Sequence, residues 1–257
     1  MAVSRGLSSL QHLTHLHLYN NSEQDAVLAS VSGLTSLQEV EVRGESCTPD
    51  GLAALPASVT KLCVSGRVTL APDSTPAVAQ LTALRWLEVN RADGFSTGVL
   101  CSMSSLQHLA VRQTPLLPVD PAGGANGGHA RGVDLTMFSG LTKLQHLELP
   151  VYGAEQAAVG PAGYVADLTT SSQLTCLNIE GLLAQQRYRR IFPDGRQLPR
   201  LRKLQATMGL LGTTVDVVAM VRCCPNLEQL DVGTGEGVPP SGFLLGMCIC
   251  PVWQMDK

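Results

Sequence analysis

LTKLQHLELP, residues 141–150, is the stretch whose reading decides the fold. Leu144, Leu147 and Leu149 follow the pattern apolar-x-x-apolar-x-apolar, and a further leucine, Leu141, stands three residues ahead of it. The last pair is two residues apart, so Leu147 and Leu149 share one face of a short strand while His146 and Glu148 point to the other. A unit this small cannot bury its own apolar edge. It needs copies of itself on either side.

The copies are present. The same pattern starts at Leu13, Leu37, Val59, Leu84, Leu106, Leu144, Leu174, Leu201 and Leu227. Leu10, Leu34, Leu81, Met103, Leu141 and Leu198 precede six of these starts by three residues; Pro56, Ser171 and Cys224 fill that place in the others. Most intervals between starts lie at 22 to 27 residues, and two are longer, 38 and 30. Stacking such units joins their strands into one parallel sheet, and the rest of each unit returns the chain as helix or turn. Ser22 with Asp25, ahead of Ala26–Val31, and Thr214, ahead of Val215–Val221, read as helix caps.

On these nine in-register copies, from Leu7 to Gly235, the chain resembles the leucine-rich-repeat family. The resemblance implies an α/β solenoid, a curved horseshoe with a parallel β-sheet on its concave face and helices and loops on its convex face. Two stretches are similar to the cysteine-containing subtype of intracellular F-box-linked proteins: LQEVEVRGESCTPDGLAAL, with Cys47, Asp50, Gly51 and Leu52, and CPNLEQLDV, which begins at Cys224. The expected organisation is a repeat array over residues 1–235 and a non-repeat tail over 236–257.

The long intervals hold Gly-rich excursions near 118–133 and 153–166, where apolar periodicity vanishes. Neither is built as a phosphate cradle, because no Lys-Ser or Lys-Thr follows the glycines. The first repeat begins almost at Met1 without a polar cap, so either a partner covers it or the chain is a fragment of a larger repeat protein. At the other end Phe243, Leu244, Leu245, Ile249 and Trp253 are expected to fold over the last layer.

Composition agrees with small stacked layers. Hydrophobic residues make up 44 % of the chain and aromatics only 4 %, so the core is aliphatic. A net charge of -3 offers no general attraction to nucleic acid or anionic lipid. No apolar stretch suits a signal peptide or a membrane span, so no membrane insertion is expected. The eight scattered cysteines read as reduced thiols of a cytoplasmic protein, and the pairs Cys223–Cys224 and Cys248–Cys250 lack zinc-site spacing.

Strand alternation sends three columns of side chains outward. The leading column carries Trp86, His108 and His146 on adjacent strands, flanked by Glu88, Arg112 and Glu148 in the other two. Trp and Arg are the side chains that most often carry interface energy, so these six form the expected partner-binding surface. His108, His146 and Cys176 are neighbours in one column, but ligands aligned on flat strands do not converge to a tetrahedron, so no metal or cofactor is expected. Between Arg187 and Lys203 lies a basic stretch whose Arg187, Arg189, Arg190, Arg196 and Arg200, interleaved with Tyr188 and Phe192, form a candidate anionic-ligand patch.

No Gly-x-Ser-x-Gly elbow, His-Glu-x-x-His or other catalytic set is present, so the chain reads as a binder rather than an enzyme. The expected function is a protein-interaction scaffold. The resemblance implies a substrate-recognition subunit of a ubiquitin ligase or a structural component of a ciliary axoneme; the alternative is nucleic-acid or phosphoinositide binding through residues 187–203.

Overall fold

The computed structural model describes residues 7–20, 23–44, 47–70, 78, 80–95, 97–114, 136–149, 164–179, 192, 195–208 and 221–234. Within them each copy of the motif is a strand. In chain order the strands are β1 (His15–Tyr19), β2 (Glu39–Arg43), β3 (Lys61–Ser65), β4 (Thr69–Leu70), β5 (Trp86–Asn90), β6 (Gly94–Phe95), β7 (His108–Arg112), β8 (His146–Glu148), β9 (Cys176–Ile179), β10 (Lys203–Met208) and β11 (Gln229–Thr234). Nine of them form one open sheet in the order β1-β2-β3-β5-β7-β8-β9-β10-β11; β4 and β6 pair separately. Every pairing in the large sheet is parallel, and the leading residues stand opposite one another without slip from His15 to Gln229. The uneven intervals are therefore absorbed off the sheet.

Register is held by burial, because a slip of one residue would turn every strand leucine to solvent. Leu62 and Val64, Leu87 and Val89, Leu109 and Val111, and Leu177 and Ile179 are all at most 2 % exposed. Each such side chain contributes roughly 1.5–3 kcal/mol of transfer free energy. The column ahead of the strands is buried as well, through Leu34, Leu81, Met103, Leu141 and Leu198. Ser171 takes that place in its own repeat without leaving a polar atom unsatisfied: its hydroxyl lies 2.7 Å from the carbonyl of Leu144 and 2.8 Å from that of Thr142.

Among the described residues the chain returns through helices α1 (Gln24–Ser30) and α2 (Pro49–Ala53) and through 3₁₀ turns at Thr97–Ser102, Thr136–Gly140 and Tyr164–Thr169. The cap expected at Ser22 and Asp25 takes another form. Glu23 occupies the N-cap of α1, but its side chain does not cap the helix. Asp25 instead reaches into the next repeat, where its carboxylate accepts the Thr48 N–H at 2.9 Å and the Thr48 hydroxyl at 2.7 Å. Thr48 then caps α2, its Oγ1 accepting the Gly51 N–H at 3.3 Å. Gly51 is required there, since a Cβ would strike the Asp25 carboxylate.

The strands end in a shared way. Asn20, Arg91 and Gln113 hold positive φ just after their strands, and Gly44 and Gly66 occupy the same place at φ +153° and +126°. Their amides extend the ladder, Asn20 donating to the Arg43 carbonyl, Gly44 to Ser65, Gly66 to Asn90 and Arg91 to Arg112.

Among the described residues no helix is long and apolar enough to cross a membrane. The excursion near 118–133, the tail 236–257, Ser22 and the Thr214 cap lie outside the described residues, as does the excursion near 153–166 apart from the start of the Tyr164–Thr169 turn.

Candidate functional site

Trp86, His108 and His146 each open a strand, β5, β7 and β8, and pair directly across them. Parallel strands lie about 4.8 Å apart, which leaves planar side chains no arrangement but face to face. The Trp86 and His108 rings stand 3.4 Å apart between centroids at 6°, and His108 and His146 stand 4.1 Å apart at 13°. On the far side of the indole, Lys61 of β3 places Nζ 5.7 Å from the ring centroid. His108 is enclosed by its neighbours, whereas Trp86 keeps 37 % of its surface exposed.

A second feature lies beside the stack. The middle column reads Glu88, Ala110, Glu148 on the same three strands, and the small Ala110 is fully buried. Arg112, at the end of β7, forks across this gap, with Nη1 2.5 Å from Glu88 Oε1 and Nη2 2.6 Å from Glu148 Oε2. Paired charge-assisted bonds of this kind fix the guanidinium plane as well as its position. Three strands are thereby tied together at the surface.

The charges in the row are unequal. Burial would push His146 down, but the Cys176 side chain of β9 and the Glu148 carboxylate outweigh it and bring His146 up to about 9. The Glu148 contact, 3.7 Å from Nε2, is ionic rather than a hydrogen bond. His108 goes the other way, to about 3, through burial first and then the neighbouring charges of His146 and Arg112. Glu148 falls to about 2, held down by His146 and Arg112 against its own burial. At neutral pH the stack therefore carries one positive charge, at its His146 end. A face-to-face sandwich of neutral rings is electrostatically poor, and a cation at one end makes it attractive.

Next to the stack the sheet face drops into a hollow of about 560 Å³ above β3. It is lined by the short Cys63 and Ser65 of β3, by Trp86 and Glu88 of β5 on one side, and by Glu41 of β2 and His17 of β1 on the other. Burial, followed by the charge of Glu88, pushes the Cys63 thiol up to about 11. Lys61, Cys63 and Glu41 belong to the outward columns of the sequence without standing out there. The available signal was the pair of short side chains, Cys63 and Ser65, between the longer ones of β2 and β5.

The structure thus brings Trp86, Glu88, His108, Arg112, His146 and Glu148 into one surface. It treats the basic stretch differently. Arg187, Arg189 and Arg190 lie outside the described residues. Arg196 donates to Thr169 Oγ1 at 3.1 Å, Arg200 donates to the Gln173 amide oxygen, and Phe192, expected as an interleaved surface ring, is core at 1 % exposure. Phe192 is inside because it fills the layer beside Cys223, whose Sγ lies 4.0 Å from the Phe192 carbonyl. Among the described residues no group of three or more His, Cys, Asp or Glu side chains is placed to hold a metal ion, and Cys47, Cys63, Cys176, Cys223 and Cys224 form no disulfide.

No protein-family model matches the sequence, nor does any curated protein. Among solved structures, an internalin from Listeria monocytogenes is similar at a TM-score of 0.54 and 15 % identity, over 88 % of this chain and 62 % of that one. The chain spans less than two thirds of that internalin's length. An internalin C2 from the same organism is 17 % identical over 80 % of this chain and 83 % of that one, with a TM-score of 0.45. A leucine-rich-repeat protein of Leptospira interrogans is 13 % identical over 88 % and 79 %, with a TM-score of 0.38. Nine parallel strands in unbroken register, a stacked leucine core and the likeness to the first of these structures give this chain the leucine-rich-repeat fold, a curved solenoid with its parallel sheet on the concave face.

Proposed function

We propose that the chain is a non-catalytic interaction scaffold that holds a protein partner on its concave strand face, with Trp86, Glu88, His108, Arg112, His146 and Glu148 as the contact surface. The observation that carries this reading is the half-exposed Trp86, backed by two stacked imidazoles and set beside an arginine clamped between two carboxylates. Ordering a side chain on binding costs affinity, and these side chains are already ordered. An exposed indole and a fixed guanidinium are also the groups that most often dominate interface energy.

The family resemblance supports a place for such a scaffold in a cytoplasmic assembly, as a substrate-recognition subunit of a ubiquitin ligase or a structural subunit of an axoneme. The nucleic-acid alternative draws no support from the described part of the basic stretch, where Arg196 and Arg200 bond to neighbouring repeats and Arg202 pairs with Glu228 at 2.8 Å.

Affinity capture with the intact chain and with a Trp86→Ala, Arg112→Ala double variant tests the surface. A bound partner is expected to be lost from the variant, since two hot-spot truncations of about 2 kcal/mol each weaken binding by roughly 1,000-fold. Equal recovery of every partner by the two forms would remove the concave face from consideration.

A further inference from the structure

We infer that the hollow above β3 is a subsite for one basic side chain, arginine or lysine, that the protein partner presents on an extended segment. This rests on the concave-face reading proposed above. Trp86 gives one face to His108, and its other face turns toward Lys61 and the hollow. The floor is set low by Cys63 and Ser65, so an indole face and the foot of Glu88 are reachable from the same space.

The three carboxylates around the hollow are not equivalent. Glu39 is answered by Lys61 at 3.0 Å, and Glu41 by Arg43 at 2.5 Å and His17 at 3.0 Å. Glu88, which lines the hollow, gives Oε1 to Arg112, while Oε2 has the Cys63 thiol, a weak donor, 4.0 Å away. A carboxylate oxygen whose near donor is a thiol therefore shares the hollow with an indole face whose one cation, Lys61, is held by Glu39. Guanidinium and ammonium groups answer both at once, by a charge-assisted bond and a cation–π contact. A carboxylate or phosphate in the same place would meet Glu88 and Glu41.

Two details of the hollow agree. The Cys63 thiol, on the strand between Glu41 and Glu88, is pushed up by burial first and then by Glu88, whose effect exceeds the lowering by Lys61. Lys61 is itself an in-chain stand-in for the ligand. Its Nζ lies 5.7 Å from the indole centroid, near the outer limit of about 6 Å for such a contact, and its bond to Glu39 keeps it off the ring. The rim cations point elsewhere: Arg43 lies over Tyr19 at 5.4 Å, and Arg91 donates to Gln113 at 2.8 Å. The volume of about 560 Å³ admits a long side chain with a stretch of its backbone.

The test is selection of a displayed library of random dodecapeptides against the full chain, followed by measurement of the selected peptides on three variants. Glu88→Gln removes the charge and keeps the shape, Cys63→Leu raises the floor and leaves the charges, and Trp86→Ala, Arg112→Ala removes the wider surface. Circular dichroism confirms the sheet in each. The expected result is a family of peptides sharing one Arg or Lys, bound about tenfold more weakly by Glu88→Gln and by Cys63→Leu. Should Cys63→Leu fail to fold, Glu88→Gln alone decides. Peptides that require Trp86 and Arg112 but share no basic residue, or that ignore Glu88→Gln, overturn the subsite and leave the scaffold reading standing. Peptides indifferent to the double variant, or no selected peptides at all, overturn both.

Discussion

The two halves of the described concave face use the same three columns in opposite ways. Across β5, β7 and β8 the side chains hold one another: rings stack from strand to strand, and one arginine spans two carboxylates. Across β1 and β2 the ion pairs are shared too but their cations stay wet, as with His15 and Glu39 at 3.4 Å, where His15 is 56 % exposed, or Arg43 and Glu41 at 2.5 Å, where Arg43 is 60 % exposed. The layer beneath β1 follows suit, since Leu109 is fully buried while Leu16 and Leu18 are each 8 % exposed and Leu10 is 46 % exposed. Identical repeat geometry therefore does not give equal rigidity. A preset surface arises only where neighbouring repeats supply side chains that complete one another.

The largest expected effect comes from breaking the contrast in the core. Leu109→Ala should destabilise the chain by about 2–5 kcal/mol, because a site sealed by layers on both sides collapses poorly around a void. Leu16→Ala, at the less covered layer, should cost the smaller part of that range or less. Urea unfolding of the two variants makes the check, and equal losses would mean that the layers are equally packed.

The clamp comes next. Arg112→Ala leaves Glu88 and Glu148 without their shared cation and should cost about 1–3 kcal/mol. It should also raise the midpoint of Glu148 from about 2, since Arg112 is one of the groups holding it down. Carboxylate chemical shifts during an acid titration report that midpoint. No movement would assign the depression to His146 alone.

The architecture was legible from the leucine positions: the spacing of Leu144, Leu147 and Leu149 is dictated by burial, and burial repeats. The stack was legible too, because strand pairing turns a column of letters into a row of neighbours, and Trp86, His108 and His146 follow directly. The cap of α1 was not. Asp25 sits where a local capping rule applies, yet its partner is Thr48 in the next repeat, and a rule about neighbours in sequence cannot see a neighbour in the stack. Phe192 was misjudged for a related reason. Set within a basic stretch, between Arg190 and Arg196, it reads as surface, and only the layer beside Cys223 shows that it faces inward. The clamp needed one further fact that alternation alone does not supply, the gap left by Ala110.

His146 is raised to about 9, so its contribution to stability is complete below the ordinary value of 6.5 and is lost as pH rises through 9. His108 is lowered to about 3, so its contribution is present above 6.5 and is lost as pH falls toward 3. Together they place the stability maximum of the central strands near pH 6.5, with a decline on both sides. Unfolding free energies at about pH 5, 6.5 and 9 test this. Glu148→Gln should flatten the alkaline side, because it removes one of the groups that hold the imidazolium; an alkaline decline unchanged in that variant would detach His146 from Glu148.

The smallest effects belong to the wet half of the face. Arg43→Ala breaks a short ion pair with Glu41, but an arginine 60 % exposed gains little from it once screening and side-chain entropy are counted. The expected change in unfolding free energy is within about 0.5 kcal/mol, and it should shrink further in about 0.5 M salt. Arg202→Ala, whose pair with Glu228 is 66 % and 63 % exposed, should behave alike at the other end of the sheet. If either substitution costs as much as Arg112→Ala, single exposed pairs would be as strong as the shared clamp. Rigidity would then follow from the number of charges rather than from how neighbouring repeats share them.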